Sequence, residues 1–234
     1  MKISIITLFP KMISGFFEES IVKRAVEKKL VEIEIVNLRD FAIDDYGTVD
    51  DRPYGGGAGM ILRIEPIFNS LKTVFKEDSP LEGRSSRRTV LTSPRGKLFN
   101  QEKAQELSKL GHLVIIAGHY EGVDERVTNF IDEEISLGDF IMTGGEITAA
   151  AITDSVVRLI PGVLKKEEAT IEETFNINSK KLLEYPQYTR PKSFKGLKVP
   201  KVLQGGNHKE IEKWRLKKAT EETRKKRPDL LKSA

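Results

Sequence analysis

The chain of 234 residues contains no cysteine, which excludes disulfides, thiol catalysis and cysteine-ligated zinc together. Its three histidines, His112, His119 and His208, are scattered, with no HExxH spacing from which to build a metal site. Long hydrophobic runs are missing too. The apolar stretch at residues 3–9 is too short for a signal-sequence core or a membrane span and stops at Pro10, so a cytoplasmic protein without a membrane partner is expected. RPYGGGAGM at 52–60 is glycine-rich but has no GxGxxG spacing, which argues against a dinucleotide-binding dehydrogenase.

Acidic and basic residues are both plentiful but unevenly placed. Residues 180–234 hold 17 Lys+Arg against 6 Asp+Glu, a balance of +11, so residues 1–179 carry −7 of the net +4. A solvated helix face is the usual cause of a charge run, but this excess favours a phosphate-backbone partner. The segment has no broad apolar face for a membrane, and Ile211 and Trp214 read as core anchors.

Three glycine turns punctuate the acidic part: RPYGGGAGM (52–60), GHYEGVDER (118–126) and GDFIMTGGE (138–146). Taken singly, each is equally well an ordinary turn; together they point to a pocket. In the third, Phe140–Met142 reads as a buried strand, Gly144 and Gly145 as a turn without Cβ atoms and Glu146 as the start of a helix. An acid in that first turn opposes a phosphate, which needs the free N–H groups and positive end of the helix, and suits a ligand without phosphates that carries positive charge.

The rest of the pattern alternates. Strands are predicted at 2–8, 33–38, 89–93, 113–117 and 139–143, with helices at 12–30, 65–75, 100–110, near 122–130 and at 146–159. Strand and helix in turn imply an α/β layer fold with a largely parallel sheet. Pro161–Gly162 ends this part, and the polar stretch 163–178 reads as a linker. The organisation expected is a domain at 1–162, a linker at 163–178 and a small, basic, helical domain at 179–234.

TVDDRPYGGGAGM (48–60), TSPRGKLF (92–99), YEGVDERV (120–127), SLGDFIMTGGE (136–146), DSVVRLIPGVL (154–164), YTRP (188–191) and GNHKEIEKWR (206–215) occur here in order. The chain thereby resembles bacterial tRNA (guanine-N1)-methyltransferases, the TrmD family of the SPOUT class, over nearly its whole length. The resemblance implies a trefoil knot in the catalytic domain, a homodimer and S-adenosylmethionine as methyl donor. It also implies that the donor pocket comprises Thr92, Ser93, Pro94, Gly118, Tyr120, Glu121, Leu137, Gly138, Asp139, Phe140, Ile141, Met142, Gly144 and Gly145. Glu121 and Glu146 would line it and suit a sulfonium. Its expected substrate is the guanine at position 37 of tRNA, beside the anticodon, in a loop whose bases can be splayed into a pocket.

Guanine N1 carries a proton and attacks the methyl only as that proton leaves and charge spreads to O6. The chemistry therefore needs a general base and a cation near O6. By resemblance the cation is Arg158, and the base stands fifteen residues later, where the family has aspartate and this chain has Glu173. Glu172 and Glu173 also read simply as solvated linker acids. His119 departs from the arginine common before YEG, Tyr46–Gly47 from a His-Arg pair, and Thr148–Ala150 from Pro-Ala-Met. A non-catalytic RNA-binding factor on the same scaffold is the alternative from another functional class; turnover on tRNA separates the two.

Overall fold

The computed structural model describes residues 1–76, 86–165, 173–177 and 180–231, and the chain divides into two compact units, Met1–Lys165 and Lys166–Ala234. In the first unit five strands form one sheet in which every pairing is parallel. They are β1 (Lys2–Thr7), β2 (Glu32–Asn37), β5 (Arg87–Leu98), β6 (His112–Ala117) and β7 (Glu133–Ser136), in the order β2-β1-β6-β5-β7. β6, HLVIIA, is apolar without alternation because both its faces are covered. Leu113, Ile115 and Ala117 enter one core with Ile3, Ile5 and Val90; Val114 and Ile116 enter the other with Ile6 and Leu91.

Helices close both faces. α2 (Ser20–Glu27), α4 (Gln101–Leu107) and α5 (Glu146–Val157) pack on the first core, and α3 (Ile64–Lys76) presents Ile67, Leu71 and Val74 to the second. α5 is apolar around most of its circumference, as a helix buried on most sides must be. The helix predicted at 12–30 is instead two, α1 (Ser14–Phe17) and α2, parted where Ser20 takes a left-handed φ of 53°. Near 122–130 there is only a 3-10 segment, Glu125–Phe130, capped by the Asp124 carboxylate, which accepts from Arg126 N.

Two irregularities shape the edge of the sheet that carries the strands' carboxyl ends. β5 outruns its predicted end at residue 93, and its register against β7 slips between Thr92 and Lys97, so that Ser93–Gly96 bulge from the ladder. Gly96 lies flat on the backbone of Glu134 and Ile135, where a Cβ has no room. The strand expected at 139–143 does not form. β7 lies earlier, at 133–136, and Phe140 and Ile141 are 54% and 83% exposed on the segment leading to α5. Three apolar residues between glycines carry the same local signal whether they enter a sheet or wall a cavity, and here they wall one.

Short strands β3 (Asp50–Asp51) and β4 (Ile61–Leu62) pair antiparallel beside this edge. No helix among the described residues is long and apolar enough to cross a membrane.

The second unit has one long helix, α6 (His208–Lys226), and a hairpin of β8 (Ser193–Phe194) and β9 (Leu197–Lys198). Its core is small: Ile177, Leu182 and Ala219, with Tyr185 against them. Thr223 is buried beside it, donating to Ala219 O and accepting from Leu183 N. Ile211 and Trp214 are only half-buried at its margin, where the Trp214 ring sits 6.4 Å from that of Tyr188. They are not the core anchors that hydrophobicity predicted, because the buried stripe of α6 is built from the small residues Ala219 and Thr223.

Candidate active site

Because β5, β6 and β7 are parallel, their carboxyl ends lie side by side, at the sheet edge where α/β proteins gather ligands. A cavity of about 560 Å³ opens there, within the range of roughly 300–1,000 Å³ usual for small-molecule sites. Thr92, Ser93 and Pro94 reach it from the β5 bulge. Gly118, Tyr120 and Glu121 reach it from the turn after β6, and Leu137, Gly138, Phe140, Ile141, Met142, Gly144 and Gly145 from the segment between β7 and α5. Of the expected pocket residues only Asp139, which is exposed, is not among the walls.

The three glycine turns meet at this place. Glu121 N donates to Met60 O, Leu62 N to Gly122 O and Asp124 N to Leu62 O, so the end of the first turn is laced to the second. The second joins the third through Gly145 N to Gly118 O at 2.6 Å and a bridge between His119 and Gly144. Gly145 has an ordinary φ of −86°, so conformation does not demand glycine there. Space does: a Cβ would stand where the Thr92 hydroxyl donates to Ile116 O (3.2 Å) and accepts from Gly118 N (3.1 Å). Tyr120, by contrast, is a non-glycine residue held left-handed at φ 57°, a conformation that costs energy and collects at functional sites.

Glu146 corrects one expectation. It stands in the first turn of α5 but is fully buried and does not line the cavity. One carboxylate oxygen accepts from Thr7 Oγ1 at 2.9 Å, and the other lies 3.4 Å from His119 Nδ1. The helix dipole favours a carboxylate at this end, and the protein's own acid thus takes the place that a bound anion would need. The acid that does wall the cavity is Glu121, joined at the rim by Glu125. Glu125 pairs with Arg95 at 2.9 Å, and that hydrogen bond, with Glu134 behind it, raises the Arg95 pKa.

His119 and Thr148, departures from the family pattern expected to adjoin the pocket, also wall the cavity, as do Ile61, Arg95, Val123 and Glu125, which were not singled out as pocket residues from the sequence. His119 and Thr148 had a signal, since both differ from the commoner residue at their places. Ile61 had none: it arrives through strand pairing.

The two residues expected to do chemistry are not in this wall. Arg158 is the C-cap of α5, thirteen residues after the N-cap Gly145 and hence about 20 Å from it along the helix. Glu173 belongs to the second unit, where it forms a bridge with Asn176. Glu172 lies outside the described residues.

A profile of the family described as tRNA (Guanine-1)-methyltransferase TrmD matches residues 1–233. The chain belongs to that family. Similar proteins named tRNA (guanine-N(1)-)-methyltransferase occur in Dictyoglomus turgidum, 52% identical over 231 residues, and in Carboxydothermus hydrogenoformans, 51% identical over 233. These alignments cover 99% of this chain and 90% and 88% of the relatives. A Bacillus cereus protein of the same name is 49% identical over 232 residues, 99% of this chain and 92% of its own. TrmD membership makes the chain an enzyme, a methyltransferase, and the cavity at the β5–β7 strand ends is the candidate for its active site.

Proposed function

We propose that the protein transfers a methyl group from S-adenosylmethionine to N1 of the guanine at position 37 of tRNA, next to the anticodon. The observation that carries the donor assignment is the α5 N-terminus. Its first turn holds the buried carboxylate of Glu146, so the glycine corner offers no net attraction to phosphate. The walls around it combine backbone groups of Gly118 and Gly138, the apolar side chains of Leu137, Ile141 and Met142, and the acid Glu121. That combination suits an uncharged nucleoside joined to a sulfonium.

In this reading the donor lies against Thr92–Pro94, Gly118–Glu121 and Leu137–Gly145, Glu173 takes the N1 proton and Arg158 steadies the charge on O6. Arg158 is remote from the cavity along α5, so the complete site is assembled from two copies of the chain. The exposed apolar side chains of Leu98 (62%), Phe140, Ile141 and Ile147 are the surface such a homodimer would cover. The knotted topology of the SPOUT class, the division into a catalytic part, a 163–178 linker and a tRNA-binding part, and a cytoplasmic location belong to the same proposal.

Incubating the full chain with labelled S-adenosylmethionine and a tRNA transcript tests it. Label appears at N1 of guanine 37 and disappears when that guanine is replaced by adenine. Donor binding without any transfer to tRNA would instead mark a non-catalytic RNA-binding protein.

A further inference from the structure

The positive charge of the second unit is not spread evenly once ion pairs are considered. On α6 four of the eight cations face acids of the same helix, Lys213 with Glu210 at 3.2 Å, Lys218 with Glu221 at 2.6 Å, and Lys217 and Lys226 with Glu221 and Glu222, while Lys209, Arg215, Arg224 and Lys225 form no ion pair among the described residues. Just beyond the helix, Arg227 pairs with Asp229. Tyr185–Lys209, by contrast, contains no Asp or Glu. Within it Arg190, Lys192, Lys195, Lys198 and Lys201 are all exposed, and none forms an ion pair among the described residues. Five cations without an ion pair are thus gathered on the β8–β9 hairpin and its two arms, in a segment that carries no acid, whereas the unpaired cations of α6 stand among its four glutamates.

The hairpin also carries the most exposed large apolar side chains among the described residues of this unit. Phe194 and Leu197 face each other across the turn and are 61% and 76% exposed; an opposed pair shares one face of a hairpin. Lys195 and Gly196 between them have φ of 48° and 84°, the left-handed pair that a tight two-residue hairpin turn requires. Val199 N to Lys192 O closes the base at 3.0 Å, and Gln204 Nε2 braces Val199 O at 2.8 Å. The tip is therefore a fixed shape that holds an aromatic ring in solvent with Lys195 Nζ 5.7 Å from its centre.

An exposed ring flanked by cations, in a segment of chain without acids, is the arrangement on which unpaired nucleotides stack while their phosphates are neutralised. We propose that the β8–β9 hairpin is an RNA-contacting element: an unstacked base of the tRNA lies on Phe194 and Leu197, with its flanking phosphates on Lys192, Lys195 and Lys198. The inference rests on tRNA being the substrate and assigns the contact to the hairpin rather than to the more highly charged α6.

The test measures affinity of the full chain for a fluorescent tRNA transcript as a function of salt. Phe194→Ala weakens binding about tenfold at fixed salt, as loss of one base–aromatic stack does, while Phe194→Trp stays within about twofold of the native chain. Replacing Lys192, Lys195 and Lys198 together by Ala flattens the logarithmic salt slope by about 2, whereas Lys213→Ala with Lys217→Ala changes it by less than about 1, since those cations are already paired. Calorimetric affinity for S-adenosylmethionine is unchanged in every variant.

Native tRNA affinity in Phe194→Ala overturns the proposal. So does a Phe194→Ala chain that loses self-association in sedimentation while a given protomer binds tRNA as before, because the tip would then contact protein. A native chain that binds tRNA through the hairpin but transfers no methyl removes the proposed activity and leaves this element in place. One that methylates tRNA regardless of residue 194 does the reverse.

Discussion

The carboxylate of Glu146 reaches the imidazole of His119, Oε2 to Nδ1 3.4 Å, through the space that a side chain on Gly144 would occupy. The imidazole is held between the rings of Phe9 and Tyr120, at 4.6 and 4.7 Å, and it forms part of the cavity wall. A residue in the wall is thus positioned by one that is entirely buried, and a glycine beside them is required by the pair rather than by a turn.

Replacing Glu146 by Ala leaves the buried Thr7 hydroxyl, which still accepts from Phe9 N, without an acceptor for its own proton, and frees the His119 ring in the cavity wall. A buried polar group left without its partner costs about 1–3 kcal/mol, so the denaturant midpoint falls by that equivalent, and donor affinity falls with it because the His119 wall loosens. Gly144→Ala drives the pair apart and weakens donor binding similarly. Native donor affinity in both variants, measured by calorimetry, would show that the wall does not need the pair.

At the neighbouring glycine, Gly145→Ala places a methyl group on the Thr92 hydroxyl. The strand ends of β5 and β6 must then part, and donor affinity drops by about tenfold or more. A compensating Thr92→Gly substitution in the same chain restores part of the affinity by vacating the space, although it forfeits the hydroxyl's bonds to Ile116 O and Gly118 N. Absence of any recovery in the double variant argues that the clash is not the cause.

For the proposed base, Glu173→Gln keeps shape and hydrogen bonding but cannot accept the proton, so single-turnover methyl transfer slows ~10²-fold or more at unchanged donor affinity. Glu172→Gln is the control and stays near native. Glu173→Asp keeps substantial activity. A crippled Glu172→Gln beside a normal Glu173→Gln moves the base by one residue, and normal rates in both assign the proton to another acceptor.

Arg158→Ala lowers the rate while leaving tRNA binding nearly intact, because its partner charge appears mainly in the transition state. If the site is assembled from two chains, a slowed Arg158→Ala protein mixed, at limiting donor, with a weakly binding Gly145→Ala protein gains activity over either alone, because one of the two sites in the heterodimer has both residues intact. Mixing that restores nothing confines the site to one chain.

Lys103 and Arg88 meet Glu106 and Glu133 where α4 lies against β5 and β7. The hydrogen bond from Lys103 holds the Glu106 carboxyl below its usual 4.5, with Arg88 adding to the effect. A depressed carboxyl contributes stability that is complete above its unfolded value and is lost as pH falls through its folded one. Amide protection in α4, corrected for intrinsic exchange, therefore declines as pH drops below 4.5, and Lys103→Ala moves that decline to higher pH. A pH profile identical in the two proteins shows that the cluster adds nothing.

The sequence by itself determined the class of architecture and the family. Alternation of strand and helix patterns requires a parallel sheet covered on both faces, and seven ordered blocks identify TrmD membership without any coordinates. It also pointed two glycine corners, at 118–126 and 138–146, to one pocket, since such turns at strand ends face a common edge when the strands are parallel. What tertiary structure alone decided is why those glycines are glycines and where the acid beside them goes. Gly145 is explained by Thr92, and Glu146 is turned inward by Thr7, a residue 139 positions away. Phe140 and Ile141 read as core yet stand in solvent, because hydrophobicity records that a residue avoids water but not what covers it. Local periodicity reports only neighbours within a few residues, whereas the cavity is built from contacts between strands that are adjacent in the sheet and distant in the chain.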